Sequence, residues 1–321
     1  MNIKQYWLIL SLLLLVFASC EHPEAEELFG EAISSEESFK ASDTPNDPNP
    51  NNNPCDLDQM NLRVLFIGNS FTANFSTDIP QMFKELAQFN NQSISVVATS
   101  AANGFTLQNH LAYTPTLNLV NQGNWDYVIL QENSGFLANG GGAGFTNSVN
   151  SFVTLINNSS SSAKIILFQV VPPVVYSQPA YNTLQSSWNT LFSNVAANYN
   201  NVFVCNIGQA FTDAYSGAWG HVPANPESFS NPNSLRLPNN GFHFHNAGGF
   251  LSAVSIYAMI FRNKPCIPPT MTFINGPGSV ATFVPQFDIL THIGYFNSWM
   301  AIHGEVPLEC QFIWGIGVYP C

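Results

Sequence analysis

From residue 62 onward, short apolar runs alternate with longer segments whose apolar residues recur at helical spacing. The apolar runs have the length and the flanking turn residues of strands buried on both faces. Strands are predicted at Leu62 to Ile67, Ser93 to Thr99, Tyr127 to Gln131, Ile165 to Val171 and Val202 to Ile207. Helices are predicted at about 78 to 89, 107 to 121, 145 to 157, 180 to 199 and 246 to 262. The alternation predicts an α/β fold of three layers, a five-stranded parallel sheet covered by helices on both faces.

The first apolar run stops abruptly at Gly68-Asn69-Ser70, and a helix with cap-type residues and an early proline follows from about Asp78. Ser70 is therefore predicted in a loop at the carboxyl end of a strand. Ligands bind at this edge of open α/β sheets, because the loops there converge on a crevice. Ser70 is thus a candidate nucleophile, and the alternative is a serine that only shapes the turn.

A serine nucleophile needs a base and a set of donors that stabilise the oxyanion. The predicted second strand is followed by Gly104, and the third by Gln131-Glu132-Asn133. Both loops lie at carboxyl ends of strands, and hence beside Ser70 if the sheet is parallel. Gly104 could present a backbone N–H and Gln131 or Asn133 an amide donor, although each could also be an ordinary turn residue.

Two histidines, His243 and His245, precede an apolar helix that is predicted to begin near Asn246. From this loop the imidazole of His243 could reach the same crevice and act as the base. His245 is its competitor, or else a surface or packing residue. A His-x-His pair can also share a metal ion. Since no carboxylate or third histidine lies nearby in the sequence, we predict neither a metal nor any other cofactor.

The ends of the chain differ from the predicted domain, which spans residues 61 to 263. Residues 1 to 20 resemble a secretion signal that ends in Ala18-Ser19-Cys20, the type of site at which bacterial lipoproteins are lipidated. Residues 21 to 60 are acidic and then rich in Asn and Pro, which predicts a disordered tether. We therefore expect attachment to a membrane through a lipid on Cys20, in the bacterial cell envelope, at the outer membrane or the cell surface.

The last segment, residues 264 to 321, is rich in Pro, Gly and aromatic residues. Its composition predicts short strands or a packed C-terminal extension rather than another strand and helix unit.

The formal net charge of −12 is concentrated near the start of the chain. Residues 21 to 60 hold eleven of the twenty acidic side chains, whereas residues 61 to 321 hold nine acidic and six basic ones. The predicted domain is thus close to neutral and has no basic patch to neutralise phosphates. Nucleic acid is therefore not an expected partner.

Five cysteines remain besides Cys20, and an exported protein can oxidise them to disulfides. The odd number leaves at least one unpaired. Cys205 lies within a predicted strand and is most simply a buried thiol. Two pairings are plausible, and spacing does not choose between them: Cys310 with Cys321, and Cys55 with Cys266.

Two of these stretches resemble sequence blocks of the SGNH hydrolase superfamily, the GDSL-like lipases and acylhydrolases. Gly68-Asn69-Ser70-Phe71-Thr72 is similar to the first block, and Asn240-Gly241-Phe242-His243 followed by Gly248 is similar to the last. The resemblance covers about residues 62 to 262. It implies a flavodoxin-like fold, Ser70 as nucleophile and His243 as base. It also implies an oxyanion hole formed by the Ser70 backbone N–H, Gly104 and a side-chain amide.

The chain departs from the superfamily pattern at two places. The third block usually reads Gly-x-Asn-Asp, whereas here the strand runs into Gln131-Glu132-Asn133-Ser134, so that the amide donor is Gln131 or Asn133. This version resembles a secreted lipoprotein branch of the superfamily. The acid that would orient His243 is replaced by Asn240, which can accept a hydrogen bond but carries no charge to stabilise the imidazolium. Asp213 or Glu227 could substitute, although neither has the spacing of the motif.

Two functions are compatible with this sequence. The first is a serine esterase that removes acyl groups, in particular acetyl, from a carbohydrate or another extracellular ester. The second is a surface-anchored glycan-binding lipoprotein that has the same fold and little or no hydrolytic activity. Aromatic residues of the tail could line its glycan site, or could simply pack: Phe283, Phe287, Tyr295, Phe296 and Trp299.

Overall fold

The structure is a computed structural model that describes residues 61–73, 77–173, 178–224, 234–237, 242–268, 273–274, 280–281 and 287–304. The predicted signal, the tether and Cys20 lie outside these residues. So do Asn240 and Glu227, which are candidates for the group that orients His243.

A five-stranded parallel sheet is built in the order β2-β1-β3-β4-β5, which confirms the predicted fold class. Its strands are β1 (Leu62–Gly68), β2 (Ile94–Ala101), β3 (Tyr127–Gln131), β4 (Lys164–Phe168) and β5 (Val202–Cys205). β1 pairs with β2 on one side and with β3 on the other. From β1 the chain adds β2 on one side, and it then returns to add β3, β4 and β5 on the other side. The switch point therefore lies between β1 and β3, where a crevice opens at the carboxyl ends of the strands.

The two faces of the sheet bury alternate residues of the same strands. Val64 and Phe66 belong to one apolar core, and Leu65 and Ile67 belong to the other. All four side chains are fully buried. Because neither face of β1 can be left to solvent, helices have to cover both.

Helices lie on both faces and give the three predicted layers. In chain order they are α1 (Ile79–Phe89), α2 (Leu107–His110), α3 (Thr114–Asn121), α4 (Ser134–Ala138), α5 (Gly142–Ser159), α6 (Gln178–Ala196), α7 (Ile207–Tyr215), α8 (Asn246–Phe261) and α9 (Phe287–His303). Helices α1, α7, α8 and α9 contribute to the core that contains Phe66. Helices α3, α5 and α6 contribute to the core that contains Ile67.

The helix predicted over 107 to 121 is two helices in the structure, α2 and α3. Pro115 stands in the first turn of α3, directly after an extended residue at Tyr113 and the first helical residue Thr114. Proline lacks an N–H and its ring clashes with a preceding helical turn. It therefore starts a helix here and does not continue one.

Helix α9 lies in the segment for which the sequence predicted short strands or a packed extension. It packs against α7 and α8, and Leu290 and Ile293 are fully buried in the core. Helix α8 is buried at every residue, since α9 covers a side that α1 and the sheet leave open. The described strands of this segment are a short antiparallel pair, β6 (Phe273–Ile274) and β7 (Val280–Ala281).

The two described cysteines differ in state. Cys205 is a buried free thiol, and burial raises its pKa to about 12. Cys266 is disulfide-bonded, and its partner lies outside the described residues. In the part of the chain that the structure describes, no helix is both long and apolar enough to cross a membrane.

Candidate active site

The turn after β1 brings Ser70 to the carboxyl edge of the sheet. The carbonyl of Asn69 accepts hydrogen bonds from the backbone N–H groups of Thr72 and Ala73, and the Asn69 side chain accepts one from Phe71. A Cβ atom on Gly68 would overlap the Thr72 hydroxyl and approach Gln131. The strand can end in so tight a turn only because residue 68 has no side chain.

The side chain of Gln131 fixes this turn through hydrogen bonds. Its Oε1 accepts the Asn69 N–H at 2.9 Å and the Thr72 hydroxyl at 3.0 Å, and its Nε2 donates to the Glu132 carbonyl. The side chain is almost fully buried and is not among the residues that line the cavity beside Ser70. Of the two predicted amide donors, the structure therefore brings Asn133 to the cavity and uses Gln131 to position the serine turn.

His243 reaches Ser70 from a distant part of the chain. Its Nε2 lies 2.9 Å from Ser70 Oγ. A short antiparallel pairing sets this position, because Leu237 N donates to the His243 carbonyl and His245 N donates to the Leu235 carbonyl, each at 2.9 Å. The ring of Phe71 stacks on the imidazole with 5.2 Å between the centroids. Ser70 and His243 thus have the geometry of a nucleophile and its base.

Arg236 anchors the histidine segment and also affects its electrostatics. Its guanidinium is fully buried and donates to the carbonyls of Phe242, at 2.6 Å, and of Pro172, at 2.7 Å. Burial of the imidazole, and next the positive charge of Arg236, lower the pKa of His243 below its usual value of 6.5. At neutral pH the imidazole is therefore uncharged and able to accept a proton.

Two backbone N–H groups in this region remain available for an oxyanion. Among the described residues, neither the Ser70 N–H nor the Gly104 N–H donates a hydrogen bond. Gly104 adopts a left-handed conformation with φ of +73°, which glycine adopts without strain. Asn133 Nδ2 donates to the Gly104 carbonyl at 3.1 Å, and Asn133 Oδ1 accepts the Phe136 N–H at 3.0 Å. The predicted donors other than Gln131 therefore lie together.

A cavity of about 330 Å³ joins these groups. Ser70, Gly104, Asn133 and His243 all line it. The remaining lining residues are Phe71, Asn103, Ser134, Gly135 and Phe242. None of the nine has an acidic side chain or a permanent positive charge, so the cavity suits an uncharged group.

Of the three residues predicted as candidates to orient His243, Asp213 lies among the described residues. Asn240 and Glu227 lie outside them. Asp213 is engaged elsewhere, because its two carboxylate oxygens accept hydrogen bonds from the amides of Gln209 and Asn297. The predicted role of Asn240 therefore stays a prediction.

His245, the competing histidine, is the N-cap residue of α8 and is almost fully buried. Burial lowers its pKa, and a hydrogen bond with the backbone of Ser234 partly opposes this shift. Among the described residues, no group of three or more His, Cys, Asp or Glu side chains could hold a metal ion.

Two buried polar residues near the site had no role in the sequence prediction. His110 Nε2 donates to the Gly68 carbonyl at 2.7 Å, while its Nδ1 contacts the Thr116 hydroxyl at 2.7 Å. Glu132 is fully buried and accepts the backbone N–H groups of Leu107 and Asn133. A carboxylate directly after the buried strand β3 was the only available signal for Glu132, and the sequence offered none for His110.

The tail aromatics proposed for glycan binding are in part packing residues. Tyr295 is almost fully buried and its ring contacts Trp299, while Phe296 packs edge-on against Trp219. Phe283 and the side chain of Phe287 lie outside the described residues.

Comparisons with known proteins show that the chain shares its fold with a solved structure. No protein-family model matches the sequence, and no curated protein matches it either. Among solved structures, a DUF4886 family protein from Bacteroides uniformis ATCC 8492 is similar with a TM-score of 0.51 and 13% identity, over 78% of this chain and 98% of that chain.

Two further structures are similar at lower scores. A lipase/acylhydrolase from Enterococcus faecalis has a TM-score of 0.45 and 18% identity, over 64% of this chain and 100% of its own. A carbohydrate esterase family 3 protein from Talaromyces cellulolyticus has a TM-score of 0.47 and 12% identity, over 63% of this chain and 97% of its own. The chain thus shares its overall fold with the DUF4886 protein, and that fold is consistent with the flavodoxin-like fold of the SGNH hydrolase superfamily.

Proposed function

We propose that the protein is a serine esterase of the SGNH type that removes acyl groups, in particular acetyl, from an uncharged carbohydrate or another extracellular ester. The observation that carries this proposal is the 2.9 Å contact between Ser70 Oγ and His243 Nε2 at the carboxyl edge of the sheet. A serine and an imidazole at this distance can share a proton, and the neighbouring N–H groups provide for the oxyanion.

In the proposed reaction, Ser70 Oγ attacks the ester carbonyl while His243 Nε2 takes the hydroxyl proton. The carbonyl oxygen becomes an oxyanion, which receives hydrogen bonds from the N–H groups of Ser70 and Gly104 and from the amide of Asn133. His243 then returns the proton to the departing alcohol and leaves an acyl-serine. A water molecule, deprotonated by the same imidazole, releases the acid and regenerates Ser70.

The lining of the cavity supports an uncharged substrate. A phosphate or carboxylate beside the ester would find no cationic side chain among the lining residues to pair with. A neutral sugar ester needs no cationic partner, and the amide groups of Asn103 and Asn133 can hydrogen-bond to its hydroxyls.

The location of the enzyme is also part of the proposal. The sequence pattern at Cys20 supports a lipid anchor, and the Asn- and Pro-rich segment after it supports a tether that holds the domain away from the membrane. The disulfide of Cys266 supports an oxidising compartment.

The first experiment compares hydrolysis of p-nitrophenyl acetate and of an acetylated neutral oligosaccharide by the full chain and by its Ser70→Ala variant. We expect the substitution to lower kcat by on the order of 10³ or more, since the nucleophile is lost. Ser187→Ala is the control, because that hydroxyl is exposed and donates to the helical carbonyl of Thr183. Equal inertness of wild type and Ser70→Ala towards both esters would favour the glycan-binding alternative.

The same assay tests Asn240. A carboxylate at this position would stabilise the imidazolium that forms during attack. Asn240→Asp should therefore raise kcat if the missing acid limits the rate, and should leave kcat unchanged if another group already orients His243.

A further inference from the structure

We propose that Glu132 is a positioning residue of the candidate oxyanion hole, whose buried carboxylate ties the loop after β2 to the loop after β3. The inference rests on the proposed function, because an oxyanion hole matters only to an enzyme. It concerns a residue that contacts neither Ser70 nor His243 among the described hydrogen bonds.

The carboxylate bridges the two loops through backbone N–H groups. Glu132 Oε1 accepts the Asn133 N–H at 2.6 Å and the Leu107 N–H at 3.2 Å, and Oε2 lies 3.4 Å from the same Leu107 nitrogen. Leu107 is the first residue of α2 and directly follows the loop that carries Gly104, and Asn133 lies in the loop after β3 and supplies the side-chain amide. Both loops are thus bound to one rigid group at the end of β3.

Two side-chain amides also donate to the loop after β2, one from the loop after β3 and one from the turn after β1. Asn133 Nδ2 donates to the Gly104 carbonyl at 3.1 Å, and Asn69 Nδ2 donates to the Phe105 carbonyl at 2.9 Å. The first of these bonds orients Asn133 and fixes the peptide group of Gly104. If Glu132 released the loops, the separation of the Gly104 and Asn133 donors would lose one of its constraints, and preorganised donors are the main source of oxyanion stabilisation.

A carboxylate suits this task better than an amide of the same shape. Both partners are N–H donors, and a carboxylate offers only acceptors, whereas the amide of glutamine brings an NH₂ group that needs an acceptor of its own. The charge is costly at this depth, because the side chain is fully buried and burial, as the largest cause, raises the pKa of Glu132 to about 7. A group that only filled space here would be more stable uncharged.

Among the described residues, no titratable side chain donates a hydrogen bond to the Glu132 carboxylate. His110 is the titratable residue of α2, and its two ring nitrogens contact Thr116 and the Gly68 carbonyl. Tyr113 follows α2 and packs edge-on against Phe105. On the other side, Tyr127 stands at the opposite end of β3. The backbone N–H groups are therefore what holds the carboxylate.

The test replaces Glu132 by Gln in the full chain and measures kcat and KM at pH 8, together with inhibition by a boronic acid that mimics the tetrahedral intermediate. We expect kcat to fall about tenfold or more, as for a weakened oxyanion hole, and inhibition to weaken in parallel while KM changes less than twofold. A residue that only stabilised the fold would lower the melting temperature and leave kcat and inhibition unchanged at a temperature where the variant is folded. Unchanged kcat in an active enzyme overturns the proposal.

Asp126→Asn is the matched control. Asp126 Oδ2 also accepts a backbone N–H, from Arg63 at 2.7 Å, and so joins β1 and β3 at the end away from the cavity. The Asp126→Asn substitution should leave kcat and inhibitor binding unchanged. A loss of kcat equal to that of Glu132→Gln would show a general effect of strand tethering and overturn the proposal.

Hydrogen exchange separates this inference from the proposed function. The amides of Leu107 and Asn133 should exchange faster in Glu132→Gln than in wild type or Asp126→Asn, whether or not the chain hydrolyses any ester tried. If wild type is inert and these amides exchange faster in the variant, the bridge that Glu132 forms between the two loops is supported and the esterase proposal fails. If their exchange rates do not change, the proposed bridge between the loops is overturned.

Discussion

At the scale of single residues, burial shifts the proton affinity of two site side chains in opposite directions. It raises the pKa of Glu132 to about 7 and lowers the pKa of His243 below 6.5, because burial penalises the charged form of either group. For His243 this keeps the imidazole neutral at neutral pH, as a general base requires. For Glu132 it means that ionisation of the carboxyl group lowers the stability of the folded state.

That cost predicts how stability changes with pH. The folded pKa of Glu132, about 7, lies above its ordinary value of 4.5, so between these values the folded state holds a proton that the unfolded state has lost. Stability should therefore fall as pH rises from 4.5 to 7, by about 3 kcal/mol from this group. Urea unfolding of wild type and Glu132→Gln between pH 5 and pH 8 measures it. The variant should decline less, and parallel curves would contradict the prediction.

At the scale of elements, His243 depends on one close approach between two chain segments. The segment 235 to 237 pairs with 243 to 245, and α8 begins directly afterwards. Gly248 lies in the first turn of α8 against the backbone of Leu235, where a Cβ atom would overlap the Leu235 carbonyl oxygen. The glycine that follows His243 by five residues is therefore explained by packing.

We expect Gly248→Ala to displace this pairing and with it the imidazole. The overlap involves backbone, which cannot rotate away as a side chain can, so a loss of about 1–3 kcal/mol of stability is expected, with at least a tenfold fall in kcat. Gly142→Ala is the control, since its added Cβ would meet Leu191 at an ordinary 3.5 Å. Thermal unfolding and ester hydrolysis measure both variants, and equal behaviour of the two would refute the role of Gly248.

At the scale of the whole molecule, α9 completes the layer that carries α8. Helix α8 is apolar along its length and buried at every residue, so it needs a partner on each side. Helix α9 provides one, with Leu290 and Ile293 fully buried. None of the residues that line the candidate cavity belongs to α9, so this helix should affect stability and not chemistry.

Leu290→Ala tests that separation. Removing a fully buried leucine leaves a cavity and should lower the free energy of unfolding by about 2–5 kcal/mol, while kcat at a temperature where the variant is folded stays unchanged. Ile289→Ala, at a partly buried neighbouring position, should cost less. A fall in kcat for folded Leu290→Ala would show that α9 also shapes the site.

The sequence by itself determined the layers of this protein and the ends of β1, because these depend on local patterns. Apolar runs with turn residues at their ends predicted each strand of the parallel sheet, and Gly68-Asn69-Ser70 predicted where β1 stops. Candidate residues of the site could be selected in the same way, since they follow strand ends. Helix α9 was missed because a helix that is apolar on several sides shows no amphipathic period.

Only the tertiary structure decided which candidates meet. Ser70 and His243 are 173 residues apart in sequence and 2.9 Å apart in space, a distance set by strand order and by the pairing of residues 235 to 237 with 243 to 245. Gln131 and Asn133 are equivalent amide donors in the sequence, yet β3 turns Gln131 beneath the serine turn and leaves Asn133 at the cavity. The role of Glu132 arises from burial between two loops, and burial is a property of packing that local pattern does not contain.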